Sequence, residues 1–308
     1  MRRLRLLWEL DARGTVAAVA EALNYTPSAV SQQLGQLERE AGVPLFRKVG
    51  RILELTPAAA RLVAETAELL AGLERAEAQL HREHSELSGS IRIAVFQTAV
   101  LAIMPRALRM LRDSYPSLRV EMVQYEPEMA LRETWARSFD LVVAEQYPHH
   151  AAAHFAGLDR EILTTDPIRL ALPWRGTVGE EFDRVIRIEQ AAGLPWVMEP
   201  RGAASRHFAE QACRNAGFEP DVRFETADLQ AHVRLIESGN AVAILPGLVH
   251  AQDRPRVRLV DLAGRPHRAL FTAARESSGR HPALAAVRSV LSAVAADPEV
   301  RADAPVAE

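Results

Sequence analysis

Ser28, Ser31, Gln32 and Gln36 recur at the three- and four-residue intervals that line up one face of a helix. Side chains of this kind hydrogen-bond to base edges in a DNA major groove: glutamine pairs with adenine in bidentate fashion, and serine is less selective. Thr26 and Pro27 open the same segment. Threonine is a good N-cap, and proline at the first helical position loses an N–H that would have no partner there. A helix start of this type also presents free amides to a phosphate. Just beyond it, Arg47, Lys48 and Arg51 fall in a short segment, Leu45 to Leu55, whose pattern predicts a two-stranded ribbon. Cations there suit phosphate or the adjacent minor groove. A helix face of Ser and Gln is also what an ordinary solvated surface looks like. The short preceding helix, the tight turn and the cationic ribbon together favour sequence-selective DNA binding.

A second group of polar residues falls at predicted strand ends: Gln97 and Thr98, then Glu145, then Arg201, Gly202 and Ser205, then Thr226 and Asp228. Loops after strands are where α/β proteins gather ligand groups. Thr98, Ser205 and Thr226 are equally plausible as plain helix caps. Glu145 facing a cleft favours a cationic or amine-bearing ligand, whereas Arg201 favours an anion, and the residues leave that choice open. No catalytic constellation is visible: there is no nucleophile elbow, phosphate loop, paired-histidine motif or closely spaced acid pair. His149 and His150, in HHAAAH, are read as surface histidines. Cys213 is the sole cysteine, which excludes an intrachain disulfide and a thiolate zinc cluster. No cofactor, metal or catalytic residue is expected.

The elements that must position these residues follow from periodicity. Leu4, Leu7, Trp8 and Leu10 form a first helical stripe that ends at Gly14, and Thr15 caps a short helix from Val16 to Leu23. Asn24 and Tyr25 make the turn. Val30, Leu34, Leu37 and Ala41 then form the inner face of the third helix. Thr56 and Pro57 open a run free of proline to about Leu87, in which Leu62, Thr66, Leu69, Leu73, Ala76, Leu80 and Leu87 sit near heptad positions. A narrow apolar stripe on so long a rod calls for a second copy of the chain. Beyond Ser88, Gly89 and Ser90, strands are predicted at IRIAVF, LRVEMVQ, Asp140 to Ala144, PIRLALP, PWVMEP, VRFET, Ala241 to Leu245 and RALFTAA. Helices are predicted between them, among them Leu131 to Phe139, Ser205 to Gly217, Asp228 to Ser238 and His281 to Ala296. The alternation implies an α/β layer with a mostly parallel sheet, followed from near Thr164 by a second α/β unit.

Composition agrees with this. The chain has 308 residues, 48 % hydrophobic, with net charge -3. That is enough for several folded cores and argues against disorder. Residues 1–56 carry net +2 and residues 57–88 net -3, so the basic character is local to the first segment. No stretch reaches the roughly 20 apolar residues that span a bilayer, and the N-terminus lacks the long apolar core of a signal peptide. A cytoplasmic protein without a membrane partner is expected.

Residues 4–62 resemble the N-terminal domain of LysR-type transcriptional regulators. The matching positions are Ala17-Ala18, Leu23, Thr26-Pro27-Ser28-Ala29-Val30-Ser31-Gln32-Gln33, Leu37-Glu38, Gly42-Val43-Pro44-Leu45-Phe46, Arg51 and Leu55-Thr56-Pro57. Arg47 stands where the family often has an acidic or apolar residue, and Lys48 where it usually has arginine. Farther on, Tyr115-Pro116, Asp140-Leu141, Gly239-Asn240-Ala241 and Leu245-Pro246 are weaker landmarks of the same family.

The resemblance implies an α+β protein with a winged helix-turn-helix domain over 1–57 and a linker and dimerisation helix over 58–88. It implies a periplasmic-binding-protein-like effector domain over 89–300, with lobe one at 91–163 and 267–296 and lobe two at 164–266. DNA contacts are then expected from Thr26, Pro27, Ser28, Ser31, Gln32, Gln36, Lys48 and Arg51. Effector contacts are expected from Gln97, Thr98, Glu145, Arg201, Gly202, Ser205 and Thr226. The resemblance further implies double-stranded DNA as partner, a homodimer or homotetramer, and a small effector such as a carboxylate or amino acid. The rival is a solute-binding or enzymatic α/β protein whose N-terminal domain serves only assembly.

Overall fold

The computed structural model describes residues 1–49, 52–82, 87–150, 154–250, 256–298 and 300. The chain divides into two compact units, Met1–Glu83 and His84–Glu308.

In the first unit, helices α1 (Arg2–Arg13), α2 (Val16–Ala22) and α3 (Pro27–Ala41) precede a hairpin of β1 (Phe46–Val49) and β2 (Ile52–Leu55), and α4 (Pro57–Arg82) follows. The caps are the expected ones. The Thr15 and Thr26 hydroxyls accept from the Ala18 and Ala29 amides, and Gly14 and Gly42 end α1 and α3 in the left-handed region. The core is Leu6, Leu7, Trp8, Leu10, Val19, Val30, Leu34, Leu37, Leu45 and Ala59, all buried. Each large side chain there contributes about 1.5–3 kcal/mol. Thr56 caps α4 through the Ala59 amide and donates its hydroxyl proton to the Pro44 carbonyl, which fixes the hairpin's base. The described part of α4 runs to Arg82, and residues 83–86 of the run expected to reach about Leu87 lie outside the described residues.

The second unit is built on a seven-stranded sheet of order β10-β6-β11-β5-β3-β4, with β9 also on β6. Its elements are β3 (Gly89–Val95), α5 (Gln97–Ala102), α6 (Met104–Ser114), β4 (Leu118–Gln124), α7 (Pro127–Trp135), β5 (Leu141–Gln146), β6 (Leu158–Pro173) and α8 (Glu180–Asp183). There follow β7 (Pro195–Met198), α9 (Ala204–Asn215), β8 (Asp221–Glu225), α10 (Leu229–Glu237), β9 (Ala243–Pro246), β10 (Val257–Asp261), β11 (His267–Arg275) and α11 (Pro282–Ala295). Strands β3, β4 and β5 are mutually parallel, as are β7 and β8.

The expected mostly parallel sheet needs correction where the lobes join. Strand β11 runs antiparallel to β5 and β6, and β6 runs antiparallel to β9 and β10. Strand β6 is 16 residues long and serves both lobes. Its first part pairs with β11 up to Pro167, and from Ile168 it pairs with β9 and β10. In lobe one, Ile91, Ile93, Val95, Leu141 and Val143 pack on one side with Leu284, Val287 and Leu291 of α11. Ala94, Val142 and Phe271 pack on the other side with Ala130 and Leu131 of α7. In lobe two, Ile168, Leu170, Leu172, Trp196 and Cys213 form one core, and Ala171, Val197, Val233, Ile236 and Leu245 form another.

Candidate nucleic-acid interface and effector cleft

The polar face of α3 is open to solvent. Ser28, Ser31 and Gln32 are exposed, while Val30, Leu34 and Leu37 on the opposite side are 1 %, 1 % and 7 % exposed. Thr26 and Pro27 are exposed at the helix start, and the Thr26 and Ser28 hydroxyls lie 3.0 Å apart. Gln36 is engaged within its own helix: its Oε1 accepts from Arg39, and its Nε2 donates to Glu40 at 3.1 Å. Arg47 is paired across the hairpin with Glu54 at 2.8 Å. Arg51 lies outside the described residues, as does the side chain of Lys48.

One residue that sequence reasoning passed over ties this surface together. Glu38 Oε1 accepts from the Leu45 and Phe46 amides at 2.7 and 3.1 Å, holding the ribbon's first strand to α3. A carboxylate that accepts two backbone N–H groups makes strong, charge-assisted bonds.

In the second unit, the expected cleft residues fall into separate local networks. None of Thr98, Ser205 and Thr226 caps a helix; the caps of α5, α9 and α10 are Phe96, Ala203 and Asp228. Thr98 is buried, and its hydroxyl accepts from Arg268 Nη2 at 2.7 Å. Glu145 accepts from Arg268 Nη1. Arg268, absent from the sequence-derived set, is thus the centre of lobe one's part of the cleft. It is 1 % exposed, donates from Nε to Asp166 at 2.8 Å, and lies over the Phe96 and Tyr147 rings at 5.3 and 5.9 Å. Asp166 in turn accepts from the Leu248 amide at 3.0 Å. Burial disfavours the guanidinium's charge, but Glu145 and Asp166 outweigh it, and Arg268 remains charged.

Gln97 begins α5 and reaches into lobe two. Its Nε2 donates to Asp228 Oδ1 at 2.8 Å, and its Oε1 accepts from the Leu229 amide at 3.0 Å. Asp228 also caps α10 through the Gln230 amide. Thr226 turns the chain into that helix: its hydroxyl accepts from the Asp228 amide, and its carbonyl accepts from His232 Nε2 at 2.8 Å. Ser205 donates to Glu199, a second residue missing from the sequence-derived set. Burial, with help from the charges on Glu145 and Glu126, pushes the Glu199 carboxyl up to about 7. Tyr147, Glu199, Ser205, Arg206, Leu229 and His232 line one small cavity. Arg201 and Gly202 are exposed on the turn before α9. Cys213 is fully buried, and its thiol is pushed up to about 12 by that burial, which keeps it from ionising.

A reading head with a ribbon, followed by a two-lobed α/β unit with a polar cleft, defines the class of ligand-responsive DNA-binding proteins. The comparisons are specific. Residues 1–60 match the bacterial regulatory helix-turn-helix protein, lysR family, and residues 84–296 match the LysR substrate binding domain. The chain belongs to the LysR family of transcriptional regulators, with an N-terminal helix-turn-helix DNA-binding domain and a C-terminal effector-binding domain. The transcriptional dual regulator GltC of Bacillus subtilis is 25 % identical over 256 residues, covering 83 % of each chain. The regulator ClcR of Pseudomonas putida is 25 % identical over 266 residues, covering 85 % of this chain and 88 % of that one. Among solved structures, a full-length OxyR variant from Pseudomonas aeruginosa superposes with TM-score 0.64 at 17 % identity, covering 94 % of this chain and 93 % of the other. Full-length CbnR complexed with its target DNA superposes with TM-score 0.54 at 20 % identity, covering 95 % and 99 %. These relatives are named as transcriptional regulators, in keeping with a regulator rather than the enzymatic alternative. No helix among the described residues is long and apolar enough to cross a membrane.

Proposed function

We propose that this chain reads operator DNA with the exposed side of α3 and adjusts that binding when a small molecule occupies the cleft between its α/β lobes. The observation that carries the DNA-contact assignment is the segregation on α3, with Ser28, Ser31 and Gln32 outside and Val30, Leu34 and Leu37 inside. Thr26, Pro27 and Ser28 meet a phosphate at the helix start, and Ser31, Gln32 and Gln36 meet base edges. Gln36 does so by exchanging its intrahelical partners for a base. Lys48 and Arg51 contact phosphate beside the groove.

Two reading heads come from two chains. Leu69, Leu73 and Leu80 on α4 are 52 %, 56 % and 66 % exposed, an apolar row that a second α4 would cover. Residues 58–88 are assigned to this pairing and residues 89–300 to effector binding, in a cytoplasmic homo-oligomer. In the cleft, Gln97, Glu145, Ser205 and Thr226 are the effector-facing members, with Thr98 acting through Arg268. Arg201 and Gly202 lie at the rim.

The test is binding of the full chain to the DNA just upstream of its own gene. Gln32→Ala is expected to alter preference among single-base variants of the site while leaving nonspecific affinity nearly unchanged. Unaltered preference overturns the role of α3.

A further inference from the structure

The cleft's charges are unbalanced. Glu126, Glu145, Asp166 and Glu199 act electrostatically on one another, and the cation set against them is Arg268. That guanidinium is already committed to Asp166, Glu145 and Thr98. The second cation beside the cavity, Arg206, is equally occupied, by Glu210, Glu225 and the Glu199 carbonyl. Both guanidinium charges are therefore already set against carboxylates of the protein itself. Among the described residues, the donor to the Glu199 carboxylate is Ser205 alone.

A second observation, independent of the acids, points the same way. His232 is 2 % exposed, lines the cavity with Glu199, and has no partner at Nδ1 among the described residues. Its Nε2 faces the Thr226 carbonyl, which can only accept, so the ring proton sits on Nε2 and Nδ1 offers a lone pair. Burial lowers the pKa of this ring and keeps it neutral. The cavity is thus walled by the Glu199 carboxyl and by a neutral ring whose unpartnered nitrogen can only accept. The cavity takes a group no larger than a water molecule, with about 10 Å³ open to a water's centre.

We propose that the effector carries an ammonium group, which seats between the Glu199 carboxylate and His232 Nδ1. This rests on the reading that the cleft is the effector site, and it narrows the ligand class to amines, including amino acids with a cationic side chain, and away from simple carboxylates. A cation arriving beside Glu199 completes the ionisation of a carboxyl whose pKa lies near neutrality.

The experiment is calorimetry and thermal shift on the full-length protein. The probes are short monoamines, α,ω-diamines, L-lysine and L-arginine, each matched to a carboxylate or alcohol of equal chain length. At least one amine is expected to bind while its matched carboxylate and alcohol do not, and Glu199→Gln is expected to weaken it roughly ten- to a hundredfold. Binding of carboxylates without amines, or of neither class, overturns the proposal, as does an amine whose affinity is unchanged in Glu199→Gln. If Glu199→Gln does not fold, the matched series on the unaltered protein still decides. Binding of the same preparation to its upstream DNA is measured in parallel: failure there counts against the regulatory reading, while specific DNA binding with no amine preference counts against the ligand class alone.

Discussion

Gln97 and Asp228 lie 131 residues apart in sequence and 2.8 Å apart in the fold, joined across the cleft from lobe one to lobe two. The second arm of the same amide accepts from the Leu229 N–H. A single side chain thus satisfies a helix N-terminus belonging to the other lobe. Two such bonds contribute about 1–3 kcal/mol to the closed arrangement. Gln97→Ala is expected to leave each lobe folded and to speed hydrogen exchange at the Leu229 amide. Exchange at the unaltered rate would mean that the bridge holds nothing shut.

Arg268 supports the cleft floor. Arg268→Met removes the partner of Asp166 and Glu145 and leaves two acids beside a low-dielectric core. A loss of about 3–5 kcal/mol is expected, the usual cost of orphaning a buried ion pair. Thermal unfolding of the variant, compared with the double variant Arg268→Met with Asp166→Asn, measures it; the double variant is expected to recover part of the loss.

Glu199 gives the fold a pH dependence of known sign. Its carboxyl titrates near 7 in the folded chain, against 4.5 for the ordinary group. Between those values the unfolded chain has already released the proton that the folded chain still holds, so stability falls as pH rises through the window. The full effect is roughly 3 kcal/mol. Glu145 and Glu126 raise this pKa, and Ser205 and Arg268 lower it. Half-buried His250, lowered to about 4, works in the opposite sense below pH 6.5. The comparison is therefore unfolding of the wild type against Glu199→Gln across pH 4.5 to 7, and the wild type is expected to lose more stability on the alkaline side.

Glu38 is expected to matter for DNA affinity without touching DNA. Glu38→Gln weakens the two amide contacts that fix the ribbon to α3, and Glu38→Ala abolishes them. Affinity for operator should fall in that order while the ranking of operator variants stays constant. A changed ranking would mean that Glu38 takes part in base reading.

Leu69→Lys with Leu73→Lys places charge on the exposed apolar row of α4. Sedimentation should show a lighter species with its fold intact, and operator affinity should drop sharply because one reading head alone remains.

The first unit was legible in the sequence because its signals are local. Threonine caps, left-handed glycines and a 3.6-residue period place α2 and α3 to within a residue. Glu38 escaped because its partners, the Leu45 and Phe46 amides, lie past the end of α3, where helical periodicity no longer applies. In the second unit the missed segments are polar ones. The first half of β6, LDREILTT, exposes Asp159 and Glu161 to Arg288 of α11, and those ion pairs stand in for an apolar face. Helix α7 begins at Pro127, four residues before the expected start, because Glu126 and Pro127 act as cap and first residue. Arg268 had a detectable trace: it and Asp166 are charges set at the edges of otherwise apolar runs, and the register places them opposite each other. Pairing two such runs antiparallel needs long-range information that periodicity does not contain. Thr98 does not cap for the same reason, since its partner Arg268 is 170 residues away, whereas Ser205 and Thr226 turn to local partners instead, Glu199 and the Asp228 amide.

Strand β6 crosses from one lobe to the other as uninterrupted backbone, and the returning segment before β11 runs beside it, with Ile168 donating to the Pro266 carbonyl at 2.9 Å. Two stiff straps laid side by side bend easily about a single line and resist twisting or sliding. On the proposed reading, a molecule that fills the space between the lobes has that one line to act about.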